Sequence, residues 1–327
     1  MLSQNQYIST IDSHTMGEAA RIVVEGLPEI HGKTMMEKKK YLQAHMDHIR
    51  KLLIHEPRGH LNMFGAIFTE PCNEGCDLGL LFMDSGGYLN MCGHGTIASV
   101  TIAINQGMIA QKEKVMFDTP SGIVECHVTY ENCKVKDVSF INVPAFIYKK
   151  NAEIEVNGVG TVMVDIAFGG SFFAIADARQ FQLLLNTEEK DKLTSLGMAI
   201  REGVNEQLSI QHPEIPEINT VDLVEFSLQK EKNHYKNVVV FGNGQIDRSP
   251  CGTGTCAKLS TLNLALGESI IQESIIGSKF KGTIVNYSKV GDYQAVVPKI
   301  TGSAWITGIH KFLLDETDPY KEGFLLA

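Results

Sequence analysis

The sequence predicts an α/β (α+β) fold made from one domain plan used twice. Three observations lead there. Cys92-Gly93-His94-Gly95-Thr96-Ile97-Ala98 returns as Cys251-Gly252-Thr253-Gly254-Thr255-Cys256-Ala257, 159 residues later (251 − 92) in a chain of 327. Asp12-Ser13-His14-Thr15-Met16-Gly17 has a weaker echo in Asp165-Ile166-Ala167-Phe168-Gly169-Gly170, at an offset of 153 (165 − 12). The two echoes keep their order and nearly their spacing, which points to a duplicated domain, and the period is too long for a solenoid array. Finally, each cysteine motif stands where strand-like sequence gives way to helix-like sequence.

Along the chain, residues 21–24, 79–83, 162–164 and 238–241 are rich in β-branched or other apolar residues beside turn signals, which predicts strands. Residues 37–53 place Leu42, Met46, Ile49 and Leu53 at helical spacing with charges between, which predicts one helix ending before Pro57. Residues 183–202 form a second, less regular helical pattern. In the first half a strand at 79–84 meets the turn Ser85-Gly86-Gly87. A buried helix at 95–105 follows, with Ile97, Val100, Ile102 and Ile104. The second half repeats this with 238–241, Gly242-Asn243-Gly244 and a helix at 254–266. Each cysteine thus lies in a turn leading into a helix. The link from Pro120 to Gly122 marks the passage between halves. The tail from Asp315 is turn-rich and too short for a domain. The expected division is a first domain of 1–125 plus about 310–327, and a second of about 126–309.

A chain of this length holds roughly two domains, and each half, at about 150 residues, can bury a core. Hydrophobic content of 43% and charged content of 20% are those of a soluble globular protein. A net charge of −9 excludes a general nucleic-acid binder but not an anionic substrate. No apolar run is long enough to span a membrane, and the polar start MLSQNQYISTIDSHT has no leader pattern. Seven cysteines, an odd number, argue against a disulfide framework and for a reducing cytoplasm. Cys72 and Cys76 have a metal-like spacing, but no second pair completes four ligands. They read as bystanders in a loop, and no metal is expected.

A helix N-terminus offers unpaired N–H groups and a partial positive charge. A thiol there is biased toward thiolate, glycines admit close approach, and the same N–H groups hold a carboxylate. Two such turns could cradle one carboxylate with a sulfur on each side of its α-carbon. That arrangement performs stereoinversion: one thiolate removes the α-proton and the other thiol donates from the opposite face. Other readings stand beside it. Gly93-x-Gly95-x-x-Ala98 and Gly252-x-Gly254-x-x-Ala257 match a loose dinucleotide pattern, without the acidic residue that should follow. A nucleophilic cysteine explains only one of the pair, and burial as small apolar residues leaves the duplication unexplained. A two-lobed amino-acid-binding protein would show no proton exchange. His94 could contact substrate or tune Cys92, though Thr253 replaces it in the second copy. Asp247, whose counterpart is Tyr88, could pair with a substrate ammonium or be an ordinary turn residue.

Asp12-Ser13-His14-Thr15, Glu56-Pro57-Arg58-Gly59-His60, Met91-Cys92-Gly93-His94-Gly95, Phe168-Gly169-Gly170 and Asp247-Arg248-Ser249-Pro250-Cys251-Gly252-Thr253-Gly254-Thr255 together resemble the proline racemase family, over nearly the whole chain. The resemblance implies a diaminopimelate-epimerase-like fold: two pseudo-symmetric domains, each a β-sheet wrapped around a central helix, with the site in the cleft between them. It implies Cys92 and Cys251 as the two catalytic bases, acting without cofactor or metal. Gly93, His94, Gly252 and Thr253 would meet the carboxylate and ring, and Asp247 the ring amine. Phe64 and Phe241 would line the ring pocket. It further implies a cytoplasmic homodimer acting on a small molecule, proline or hydroxyproline, with no nucleic-acid or membrane partner. The family also holds 4-hydroxyproline 2-epimerases, and 3-hydroxyproline dehydratases in which threonine typically replaces one cysteine. Two cysteines here favour inversion, and two phenylalanines favour the bare pyrrolidine ring.

Overall fold

The computed structural model describes residues 7–326; the first six residues of the polar start, and Ala327, lie outside the described residues. In chain order the elements begin with β1 (Tyr7–Thr15), β2 (Glu18–Glu25), α1 (Met35–His45), α2 (Asp47–Ile54), β3 (Phe64–Thr69) and β4 (Leu78–Asp84). Next come β5 (Tyr88–Leu89), α3 (Gly93–Asn105), β6 (Lys114–Thr119), β7 (Gly122–Glu131), β8 (Lys134–Ile141), β9 (Ala145–Val156) and β10 (Gly160–Phe168). β11 (Phe172–Asp177), α4 (Lys190–Gln207), β12 (Val221–Glu231), β13 (His234–Phe241), β14 (Gln245–Ile246) and α5 (Gly252–Ser260) follow. The last are β15 (Ser269–Glu273), β16 (Lys279–Val290), β17 (Tyr293–Gly302) and β18 (Ala304–Leu313).

The chain forms two units, one running to Ser139 and resuming at Ser303, the other spanning Phe140–Gly302. Both divisions differ from those expected near 125 and 310. β7 pairs antiparallel with β6, from Lys114↔His127 to Thr119↔Gly122, so it belongs to the first unit. β18 pairs with β1 from Tyr7↔Leu313 to Thr15↔Ala304, which draws in the chain from 303 onward. Pro120 to Gly122 is therefore no boundary but a hairpin turn, closed by Thr119 Oγ1 donating to the Gly122 carbonyl at 2.7 Å.

In the first unit the strands pair in the order β18-β1-β2-β3-β4-β6-β7, with β2/β3 and β4/β6 parallel and the other pairs antiparallel. The second unit runs β9-β10-β11-β12-β13-β15-β16-β17, with β11/β12 and β13/β15 parallel. There the ladder closes on itself through β17 and β9 (Ala295↔Phe146). Over their first seven places the two orders match, and β17 extends the second by one strand. In both, a short strand (β5 or β14) precedes a helix that leads to the parallel strand (β6 or β15). That helix is internal. α3 packs on β1, β2, β3 and β18, and α5 on β9, β10, β11, β16 and β17. α3 is apolar nearly all round and buried from Gly95 to Ile104, as a helix enclosed by strands must be. α2 and α4 are amphipathic, each burying one apolar face. Leu42, Ile49 and Leu53 share a core with Ile67 and Leu81, while Leu193, Ile200 and Val204 share another with Val224 and Phe226.

The expected helix over 37–53 is two helices. Met46 leaves helical geometry (φ −133°, ψ 16°) and caps α1 with its amide, while Asp47 opens α2 and pairs with Arg50 at 2.6 Å. An acid is favoured at such a start. The helix expected from 183 begins only at Lys190, because Gln182 and Leu185 have positive φ and Asn186 with Glu189 forms a capping box. α5 ends at Ser260, short of 266, since Leu262 and Leu264 leave the helix to pack beside Tyr235, Ile270 and Ile284. Among the described residues no helix is long and apolar enough to cross a membrane.

Candidate active site

In the first unit the functional group gathers at the start of α3. Cys92 is the N-cap, in extended backbone (φ −150°), and its side chain makes no capping hydrogen bond. Its carbonyl accepts from Thr96 through the amide (3.0 Å) and the hydroxyl (2.7 Å). The thiol sulfur stands 3.2 Å from His94 Nδ1. Thr15, at the end of β1, donates its hydroxyl to the His94 carbonyl at 2.7 Å. Phe64, which begins β3, meets the His94 ring edge-on at 4.4 Å. Gly95 leaves room for this, because a Cβ there would lie 2.8 Å from Phe64 Cε1. His94 lies deep although part of it stays accessible, and burial pushes its imidazole down to about 4. The ring is therefore neutral near neutral pH, with one nitrogen to donate and one to accept.

In the second unit the group gathers at the start of α5. Cys251 is again the N-cap, but with φ +60°, and its sulfur accepts from the Gly254 amide at 3.3 Å. A positive φ at a non-glycine residue costs on the order of 1–3 kcal/mol and persists only when its surroundings hold it. Ser249 Oγ accepts from the Cys251 amide at 3.1 Å, Asn237 Nδ2 donates to the Pro250 carbonyl at 2.8 Å, and Thr255 Oγ1 donates to the Cys251 carbonyl at 2.7 Å. Asp247 is buried and its Oδ1 accepts from the Ser249 amide at 2.8 Å. The Thr253 hydroxyl lies 3.5 Å from the Cys251 sulfur.

A helix N-terminus alone predicts a thiol biased toward thiolate. Cys251 is the opposite: burial, then the Asp247 charge, push it well above its ordinary value, outweighing the hydrogen bonds from Thr253 and Gly254. It is a protonated thiol near neutral pH.

Of the residues singled out from the sequence, Cys92, Gly93, His94 and Phe64 come together in the first unit. Cys251, Gly252, Thr253 and Asp247 come together in the second. Phe241 ends β13, half-buried, and joins its group only through the strand and the turn facing Gln245. Cys72 and Cys76 belong to a loop anchored by Asp118, which accepts from the Cys72 and Asn73 amides at 2.8 Å. Among the described residues no cluster of metal-ligating side chains occurs.

Sequence reasoning marked Gly169 only as part of a motif, and passed over Asn142 and Glu225, the residues that hold the second turn in place. Gly169 packs so close to α5 that a Cβ would stand 2.3 Å from the Thr253 carbonyl oxygen and 2.4 Å from the Ala257 nitrogen. Asn142 donates to the Gly169 carbonyl at 2.8 Å and reaches Cys256 Sγ at 3.1 Å. Glu225 is fully buried on β12 below α5. A lone charge inside the apolar run Leu223-Val224-Glu225-Phe226 was the available signal.

The proline racemase family model matches residues 10–325. The chain is 53% identical to a proline racemase of Clostridioides difficile, covering 98% of each chain. It is 50% identical to a proline racemase of Acetoanaerobium sticklandii, covering 97% of this chain and 98% of that one. A crystal structure of a hydroxyproline epimerase from Agrobacterium vitis with bound trans-4-hydroxy-L-proline superimposes with a TM-score of 0.89 at 29% identity, covering 99% of this chain and 97% of the other. The mixed α/β fold is shared with that structure. A match over almost the entire length, at identities of half or more, leaves one conclusion: the chain belongs to the proline racemase family.

Proposed function

We infer that this chain is a proline racemase, interconverting L- and D-proline through two thiols without a cofactor. One observation carries the reading. Each unit places a cysteine as N-cap of an internal helix with a glycine-rich first turn, in a chain 53% identical to a proline racemase. In this reading the units are diaminopimelate-epimerase-like domains, and the two thiols approach one α-carbon from opposite faces in a shared cleft.

With Cys251 poised as a thiol, Cys92 as thiolate takes the α-proton, and the C–H electron pair passes into the carboxylate. Cys251 then gives its proton to the other face, which leaves the enantiomer and exchanged roles. The amides of Gly93, His94, Gly252 and Thr253 belong to helix first turns, whose N–H groups lack intrahelical acceptors. They hold the carboxylate as its charge grows. Neutral His94 orients the Cys92 sulfur. Asp247 pairs with the ring ammonium, which needs a counter-ion once desolvated. Phe64 and Phe241 line the ring. The reading includes a cytoplasmic homodimer.

Epimerisation of 4-hydroxyproline is the second reading, favoured by the fit to the Agrobacterium vitis structure. An apolar wall rejects an added hydroxyl only weakly, by about 1–3 kcal/mol, so slower turnover of that substrate is expected. Cysteine at both catalytic positions disfavours dehydration.

The test is optical rotation of L-proline, then of trans-4-hydroxy-L-proline, incubated with the protein in heavy water. Proline rotation should decay to zero with deuterium entering at the α-carbon. Binding without exchange would make the protein a binder instead. Cys92→Ser and Cys251→Ser should each lose about 10³-fold or more in kcat, the upper range for removing an acid or base. Near-wild-type racemisation by either variant would falsify the two-thiol mechanism.

A further inference from the structure

The floor beneath Cys251 is built from acceptors that have too few donors. Glu225 points from β12 to the side of its sheet where Leu223 packs against the cluster of Ile175, Val239 and Cys251. Its Oε1 accepts from Gln272 Nε2 at 2.7 Å, and the Asn237 amide lies beside the carboxyl. Asn237 in turn donates to the carbonyl of Pro250, the residue before Cys251. Glu225 Oε2 reaches under the first turn of α5. A Cβ on Gly254 would stand 2.7 Å from it and 3.3 Å from the Cys251 sulfur. Three buried acceptors here have no hydrogen-bond partner among the described residues, Glu225 Oε2, Asn237 Oδ1 and Gln272 Oε1; the Ser227 hydroxyl, a donor as well as an acceptor, has none either. The amide oxygens can only accept. A carboxylate would add an unpaired charge to a site already short of donors, whereas a carboxylic acid brings an O–H to one of the bare acceptors.

We propose that Glu225 is a positioning residue of the Cys251 half-site. Held as a neutral acid, it donates into this cluster and, through Asn237 and the Pro250 carbonyl, keeps Cys251 in its left-handed backbone conformation. Its kinetic consequences rest on the two-thiol reading; its protonation does not. The titratable groups facing it are Lys258 on α5 and Cys251 at the α5 N-cap, with uncharged Asn237 and Gln272 from β13 and β15. Burial outweighs the attraction of Lys258 and the side-chain hydrogen bonds of Gln272 and Asn237, and pushes the carboxyl up to about 8. Above that pH the new charge also opposes a thiolate at Cys251. Glu225 therefore supports the thiol turn while neutral and suppresses thiolate formation once ionised.

Three forms of the full-length protein test this: wild type, Glu225→Gln and Glu225→Leu. The infrared difference between wild type and Glu225→Gln at pH 6 should show a carboxylic-acid C=O stretch that fades as pH rises through about 8. Its absence at pH 6 overturns the proposal. Glutamine keeps a donor, so its kcat should stay within about three-fold of wild type, with the alkaline fall moved to higher pH. Leucine should lose about 10- to 100-fold in kcat with KM little changed, the scale for a misplaced catalytic group. Wild-type kcat and alkaline limb in Glu225→Leu, or equal losses in both variants, refute the positioning role. If Glu225→Leu does not fold, the infrared band and the Glu225→Gln profile decide. Failure of the two-thiol reading registers separately, as racemisation by Cys251→Ser.

Discussion

Cys92 and Cys251 occupy the same motif position in different physical states. Cys92 has extended backbone and a neutral imidazole 3.2 Å away; Cys251 has a positive φ, a buried thiol and an acid nearby. A substrate with one amine and one ring needs that inequality. Two buried groups at these turns also link stability to pH, with opposite signs. His94 is depressed from 6.5 to about 4, so the unfolded chain binds its proton more readily. Its stabilisation is complete above about 6.5 and is lost as pH falls toward 4. Glu225 is raised from 4.5 to about 8, so the folded chain holds its proton. Its stabilisation is complete below about 4.5 and is lost as pH rises through 8. Each contribution is on the order of a few kcal/mol. Urea unfolding should show stability nearly flat between about pH 4.5 and 6.5, where the two windows overlap and cancel, and falling from about 6.5 to 8. Glu225→Gln should remove the alkaline fall, and His94→Asn should unmask a fall that begins near 4.5. A wild-type alkaline slope in Glu225→Gln would contradict the assignment.

At the scale of elements, the two cysteine turns are positioned by neighbouring backbone. α5 lies against the β10–β11 turn with no room for a side chain at Gly169, so Gly169→Ala must push backbone against backbone. Denaturant titration should find a loss of about 3 kcal/mol, the upper range for overpacking. KM should rise as well, because the clash moves Thr253. An unchanged midpoint would show that the close approach is not maintained in solution. α3 is held differently, by Thr15 at the end of β1 and Phe64 at the start of β3. This gives Asp12-Ser13-His14-Thr15 a structural meaning. Asp12 forms a two-pronged pair with buried Arg21 (2.8 and 3.0 Å), whose Nη1 donates to the Leu53 and Arg58 carbonyls at 2.6 Å. Thr15, three residues on, reaches the Cys92 turn through the His94 carbonyl. The echo at Asp165 lacks this arginine pair; there the carboxylate accepts from the Asn151 amide.

At the scale of the molecule, each unit has its own core and its own way of completing its sheet. The second unit closes its ladder between β9 and β17 within one continuous stretch of chain. The first depends on a late return: β18 supplies the partner of β1, and the tail is tied down by Arg58, which donates to the Tyr320 and Lys321 carbonyls at 2.7 and 2.8 Å. A chain ending at Gly302 should therefore lose amide protection in β1 and β2 while β10–β13 stay protected, as read by hydrogen-exchange mass spectrometry. Full protection of β1 in that truncation would contradict the dependence.

What the sequence determined by itself is local or repeated. Cysteine ahead of glycines at a strand-to-helix change marked both helix starts, and the duplicated motif marked two equivalent groups, because these depend on residue type and short spacing. Helix limits were less legible. The kink at Met46 and the capping box at Asn186 yield to packing and capping that a hydrophobic period does not show. Tertiary structure alone decided the rest. It set the start of the returning segment at 303 through the pairing of β18 with β1, turned Pro120–Gly122 into a hairpin, and pressed Gly169 onto α5. It also buried Cys251 deeply enough that desolvation overrides the helix N-terminus, and set Glu225 beneath it. Ionisation depends on what surrounds a group in space, and those surroundings come from strands far apart in the chain.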